Sequence, residues 1–175
     1  MQRPPPGYDV LAACPPRLAS VYDEVVPPGG TRRNHRDDVH ACWLLRSGRV
    51  VVRWEGGSCE ARPGDWMLLP SGLLRDQVFA PRTRILSLRF RLDRGPGRPF
   101  FAGLAPVRLP GPEPGLQVPA ETLLAAVDSA DDGPAAAWRM QADLHRLLLR
   151  WLPALLDGGC RLAQTTDARD RKSVV

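Results

Sequence analysis

Short apolar runs, each closed off by glycine, proline or a charged pair, make up the first two thirds of the chain. Leu18–Val26, Val39–Leu45, Arg49–Trp54, Ser58–Ala61, Trp66–Leu69, Arg75–Phe79 and Arg84–Leu92 are rich in Val, Leu, Trp and Phe. Their length and composition predict β-strands. Ser47-Gly48 and Gly56-Gly57 read as tight hairpin turns. Many short strands at this spacing predict an all-β sandwich or barrel. From Pro106 to Pro119 proline and glycine are too frequent for a regular element. The period then changes. Ala120–Val127 reads as a short helix and Pro134–Leu156 as a longer one, with Pro134 in its first turn and Asp131 or Asp132 as its cap. Met140, Leu144, Leu147, Leu148, Trp151 and Leu155 form one apolar stripe along it. Pro153 is expected to kink its last turn, and Gly158-Gly159 to end it.

Composition narrows the class. The 175 residues suit one domain with an appendage, and 43% hydrophobic with 25% charged residues fits a globular protein. No apolar run reaches the ~20 residues of a membrane helix. Met1 to Pro6 holds no apolar signal region, so the expected location is the cytoplasm. Cys14, Cys42, Cys59 and Cys160 form no CxxC pair and are expected as reduced thiols. The net charge of +5 comes almost wholly from arginines spread along the chain, which suits a GC-rich genome better than a nucleic-acid surface. The chain has no internal repeat, no phosphate-binding glycine loop and no GxSxG elbow.

Two stretches carry the chemistry. Gly29, His35, Asp37, Ala41 and Gly48 fall on the spacing G-x5-H-x-H-x3-E-x6-G, and Gly64, Pro70, Gly72 and Arg75 on G-x5-P-x-G-x2-H-x3-N. Together they resemble the cupin superfamily, whose fold is a jelly-roll β-barrel. The expected fold is therefore mainly β, a cupin jelly-roll barrel followed by two C-terminal α-helices. Metal-binding cupins use three histidines and a glutamate. Here His35 alone remains: Asp37, Ala41 and Arg75 stand at the other positions. A guanidinium has no lone pair to donate and repels a divalent cation, so no catalytic metal and no cofactor are expected. His40 differs from His35 by an odd number of residues and would face the other way along a regular strand.

Within the cupins, Cys59 to Gly72 and Phe79 to Phe90 resemble the sensor domain of AraC/XylS-type transcription regulators. The resemblance runs from about Arg17 to Leu156. It implies residues 1–118 as an effector-binding barrel with an N-terminal arm, and 119–160 as a helical supporting or dimerisation segment. Residues 161–175 are expected to be a truncated or foreign tail. The only lysine, Lys172, lies in the terminal run from Asp170 to Val175, which matches a common sequencing adapter translated in one frame. The resemblance implies a small-molecule effector, a sugar or small carboxylate, held by Arg33, His35, Asp37, Arg75, Gln77, Ser87 and Arg89. It also implies a homodimer through the C-terminal helices, and operator DNA bound only through a missing helix-turn-helix domain.

Three alternatives stand beside this. Arg75 and Arg89 pair with Asp37 and Asp76 instead of with a ligand; Trp43, Trp54 and Trp66 are core instead of a sugar platform; and Asp65 is a turn residue. Other functions weighed are a small stand-alone cupin enzyme, isomerase or lyase, and a structural or storage cupin.

Overall fold

Apolar residues that do not alternate are the first clue to the architecture. Ala41-Cys42-Trp43-Leu44-Leu45 and Trp66-Met67-Leu68-Leu69 are buried at every position, which requires cover on both faces of their sheet. The computed structural model supplies it, describing residues 13–157 apart from 28 and 130–132, and only helical backbone beyond Trp151. Its strands are β1 (Arg17–Val25), β2 (Arg32–His35), β3 (His40–Ser47), β4 (Val50–Trp54), β5 (Gly57–Ala61), β6 (Trp66–Leu69), β7 (Arg75–Phe79), β8 (Arg84–Arg91) and β9 (Val107–Leu109). Helices α1 (Pro114–Asp128) and α2 (Pro134–Asp157) follow. The strands form two antiparallel sheets, β1-β8-β3-β6-β9 and β2-β7-β4-β5. The fold is mainly β, a jelly roll followed by two C-terminal helices.

Two apolar layers hold it. Between the sheets lie Trp43, Leu45, Val50, Val52, Met67, Leu69 and Ile85. The opposite face of the larger sheet presents Cys42, Leu44, Trp66, Leu68, Leu86 and Leu88 to the helices. There Leu144, Leu147, Leu148 and Trp151 of α2 are fully buried, and Trp151 Nε1 donates to Cys42 Sγ at 3.0 Å. That bond gives a buried indole donor a partner. These four residues of the predicted stripe are thus spent inside the chain, Met140 is partly buried against them, and Trp138 is 76% exposed. Arg46 adds a polar strut from β3, to Asp23 of β1 at 2.6 Å and to Glu121 of α1 at 2.8 Å.

Sequence and structure differ in several places. Strand β2 was not predicted: Arg32-Arg33-Asn34-His35 has no apolar residue, and Asn34 breaks its register at φ 50°. Strand β9 lies in the connector judged too broken for structure. There Asp65 accepts from the backbone N–H of Arg62 (2.9 Å) and Gly111 (2.9 Å) and from Arg108 Nη1 (3.2 Å), tying the connector to the barrel. Asp65 is a turn residue, and its carboxylate also anchors β9. Helix α1 begins six residues earlier than predicted, because Pro114 opens it and Pro119 is tolerated inside it.

Ser47-Gly48 is not a hairpin turn, since β3 and β4 belong to different sheets. Gly48, at φ 77°, lets the backbone pass Thr83, whose Cα would lie 2.6 Å from any added Cβ. The second hairpin is real but shifted by one residue: Trp54 pairs with Gly57 across Glu55-Gly56. Cys14, Cys42 and Cys59 are free thiols. The expected cap at Asp131 or Asp132, the stop at Gly158-Gly159, Cys160 and the tail 161–175 lie outside the described residues; Pro153 and Leu155 lie in the stretch given as backbone only.

His40 is buried in the helix-side layer. Its Nδ1 accepts from the Ser71 N–H at 3.0 Å, so the proton sits on Nε2, which donates to the Leu92 carbonyl at 3.3 Å. The ring packs against Phe90 and Phe101, and burial pushes its pKa from 6.5 down to about 4, against the opposing pull of the Leu92 bond and of Asp93. The unfolded chain therefore takes up this proton first as pH falls. Stability present above pH 6.5 is lost through the window down to about 4, by about 3 kcal/mol in all. Urea unfolding of wild type and His40→Gln across this window checks it. The wild type is expected to carry the extra slope, and equal slopes would assign the pH dependence elsewhere.

Candidate functional site

Alternation along β7 and β8 decides which side chains enter the barrel. On β7, Arg75 and Gln77 point inward, 2% and 1% exposed. On β8, Ser87 and Arg89 share the parity of Ile85, which lies in the inter-sheet core. Asp37 comes from the bend between β2 and β3, where its carbonyl accepts from the Gly72 N–H at 2.8 Å. The glycines of the two spaced motifs, Gly29, Gly48, Gly64 and Gly72, all take positive φ. The motif thus marks the turns that bring these strands together.

At the centre one carboxylate bridges two guanidinium groups. Arg75 Nη2 donates to Asp37 Oδ2 at 2.5 Å, and Arg89 Nη2 to Asp37 Oδ1 at 2.6 Å. Arg75 also donates to the Leu73 carbonyl at 3.1 Å. The amide orientation that satisfies both side chains lets Gln77 Oε1 accept from Arg75 Nε at 2.9 Å and Nη2 at 3.2 Å. His35 Nε2 lies 3.0 Å from Asp37 Oδ2. Burial would raise the Asp37 pKa, but Arg75, His35 and Arg89 outweigh it and hold the carboxyl below its ordinary value. Burial lowers the pKa of Arg75, yet a guanidinium stays protonated at neutral pH. This is an ion-pair network in a largely dry place.

Beside it opens a cavity of about 320 Å³. Tyr22 and Glu24 of β1 line it, with Arg32 of β2, Trp43 of β3, and Gln77 and Phe79 of β7. Trp43 and Phe79 stack at a tilt, 5.8 Å between centroids. The structure therefore brings His35, Asp37, Arg75, Gln77 and Arg89 together. Ser87 is fully buried, and its Oγ has no partner. Arg33 is exposed and does not line the cavity; its neighbour Arg32 does, opposite Gln77 in register. The irregular register of β2 shifts the inward position by one residue, and no apolar neighbour signals this in the sequence. Tyr22, Glu24 and Arg32 were missed; even-numbered positions of β1, opposite Val21 and the helices, were the available signal. Trp43 lines the cavity, while Trp66 belongs to the helix-facing core.

The metal-site fit fails on donor chemistry. Arg75 fills one ligand position, and Asp37 has both oxygens engaged by guanidinium groups. Among the described residues no three His, Cys, Asp or Glu side chains cluster to hold a metal ion. Nor is any helix among them long and apolar enough to cross a membrane.

No protein-family model and no curated protein matches the chain. Similarity to solved structures is found at low identity. YhaK from Escherichia coli is 19% identical over 58% of this chain and 45% of its own, with a TM-score of 0.42. ToxT K231A from Vibrio cholerae is 10% identical over 82% of this chain and 56% of its own, with a TM-score of 0.48. The AraC-like transcriptional activator CuxR is 14% identical over 90% and 70%, with a TM-score of 0.41. The chain thus spans about half the length of YhaK and ToxT.

The network makes its own demand. Removing Asp37 strands the buried Arg75 cation, whereas removing Arg75 leaves Asp37 still paired with Arg89. Asp37→Ala is expected to cost about 3–5 kcal/mol and Arg75→Met clearly less. The double variant should recover part of the Asp37→Ala loss. Urea unfolding at neutral pH measures all three, and an Asp37→Ala chain as stable as wild type would show that water reaches Arg75.

Proposed function

We propose that this chain is the effector-sensing domain of an AraC/XylS-like transcription regulator and binds a small molecule inside a metal-free cupin barrel. The observation that carries the reading is the cavity between β1, β2 and the barrel. It pairs an aromatic wall, Trp43 and Phe79, with convergent polar groups, Arg32, Gln77 and Glu24. Its volume lies at the lower end of small-molecule sites. The seven residues implied by the resemblance then divide in role. Gln77 touches ligand directly, and Ser87 and Arg89 wait behind it. Arg75, Asp37 and His35 hold the floor, and Arg33 stands outside. In this reading the barrel is the binding unit and helices α1 and α2 are its support. Ligand binding acts as a population shift, favouring one arrangement of β1, β2 and helices over another.

Among the described residues Asp37, Arg75 and Arg89 are tied up in one ion-pair network and form no nucleophile–base pair, which supports sensing over catalysis. A homodimer belongs to the same reading. With Leu144, Leu147, Leu148 and Trp151 packed internally, it would use exposed positions of the helical segment such as Trp138.

Two experiments bear on this. In a thermal-shift screen of sugars and small carboxylates, the effector is expected to stabilise the wild type by about 3 kcal/mol at a hundredfold excess over Kd. Arg32→Ala, an exposed change, should leave the ligand-free midpoint nearly unmoved and cut the shift. An undiminished shift would remove the cavity from the proposal.

The second concerns DNA. Both described helices pack their apolar faces on the barrel, so neither is free as a recognition helix in the major groove. This 175-residue chain is expected to show only weak, salt-sensitive, sequence-independent association in an anisotropy titration. Submicromolar preference for one promoter fragment at physiological salt would contradict it.

A further inference from the structure

The barrel floor has the form of an oxyanion site that is already filled. Two guanidinium groups from adjacent inner positions of the two sheets, Arg75 on β7 and Arg89 on β8, each grip one oxygen of a single carboxylate. Two arginines bind a ligand's carboxylate or phosphate in the same bridging way. Here the carboxylate belongs to Asp37, on the bend between β2 and β3.

We infer that Asp37 is an internal surrogate for an anionic effector group: a carboxylate- or phosphate-bearing ligand takes its place on Arg89 and Arg75, and Asp37 sets the affinity by competing for them. This rests on the effector-binding reading above and names the chemistry that the site selects.

Three observations carry it. The first is charge. Arg32 lies close enough to act electrostatically on Arg75, so the two guanidinium groups that share the Asp37 carboxylate have a third nearby. Glu24 also lines the cavity but makes no contact with Arg75 or Arg89. The second is accessibility. The Arg75 side chain is fully buried, but that of Arg89 is 31% exposed, so an incoming anion meets Arg89 first. The third is the Ser87 hydroxyl, fully buried without a partner between Ile85, which lines the cavity, and Arg89. A buried donor of this kind usually has an acceptor, and a ligand oxygen reaching Arg89 along β8 would supply one.

The exchange must be anion for anion. Apart from Asp37, the contacts of Arg75 are the neutral Leu73 carbonyl and the Gln77 amide. A neutral sugar that drew Asp37 away would leave a buried cation uncompensated, which is strongly unfavourable. Only a ligand bringing its own negative charge can release Asp37. Release would also loosen the bend that leads from β2, and so couple the floor to the strand that walls the cavity.

The test uses inorganic phosphate and acetate against chloride at matched ionic strength, read by thermal unfolding of the full chain. Wild type is expected to gain modestly from phosphate over chloride. Asp37→Asn, without the internal competitor, should unfold at lower temperature in chloride and respond to phosphate or acetate with an apparent affinity about tenfold tighter. Arg89→Gln should abolish the response in either background. Should Asp37→Asn fail to fold in both salts, the wild-type comparison decides: a phosphate response lost in Arg89→Gln supports the subsite. No phosphate response in wild type, or one that survives Arg89→Gln, overturns it. The two readings fail separately. A neutral sugar that stabilises wild type and Asp37→Asn equally keeps the effector reading and overturns this inference. A phosphate response through Arg89 with no stabilising compound in the screen keeps the subsite alone.

Discussion

A sheet that must be covered on both faces governs this molecule. Strands β3 and β6 carry apolar side chains at odd and even positions alike, and β8 adds Leu86, Leu88 and Phe90 on its helix side, so the larger sheet cannot leave either face in water. The smaller sheet covers one side and creates the barrel. The helices cover the other, which is why α2 gives Leu144, Leu147, Leu148 and Trp151 to its own chain. His40 sits in the helix-side layer, between β8 and the loop after it, with both ring nitrogens satisfied by backbone groups. Its neutrality follows from that placement.

Inside the barrel a second constraint takes over. Arg75 is enclosed at a position where its charge cannot be hydrated, so a carboxylate has to be there with it. Asp37 meets that need and in doing so joins β2, β7 and β8 through one group of atoms. The same demand defines what the interior can bind. Metal coordination is chemically disfavoured, and on the proposed reading a neutral ligand leaves the pair intact while an anion trades places with Asp37. The cavity beside the pair has aromatic carbon on one wall and Arg32 and Gln77 on another, and in the proposed reading it holds the remainder of the ligand.

The spaced glycines and the run Pro63-Gly64-Asp65 made much of this legible in advance. A glycine that must take positive φ is a local backbone requirement, readable without knowing what surrounds it. Alternation placed Arg75 and Gln77 in the interior for an equally local reason. Strand β2 and strand β9 were not legible. Their residues are polar or flanked by proline, and they are strands only because neighbours β7 and β6 offer them hydrogen bonds. The same holds for Arg32 in place of Arg33, since a register break at Asn34 is a property of the pairing and not of either residue.

The amino-acid sequence by itself determined the mainly β class, the two closing helices and the turns of both motifs, because propensity and φ preference are properties of single residues and short runs. Tertiary structure alone decided that β3 and β4 lie in different sheets, that Leu144, Leu147, Leu148 and Trp151 pack inward, and that Asp37 bridges Arg75 and Arg89. Each of these depends on which distant segments meet. Asp37 is separated from its two partners by 38 and 52 residues, and no local pattern specifies a contact at that range.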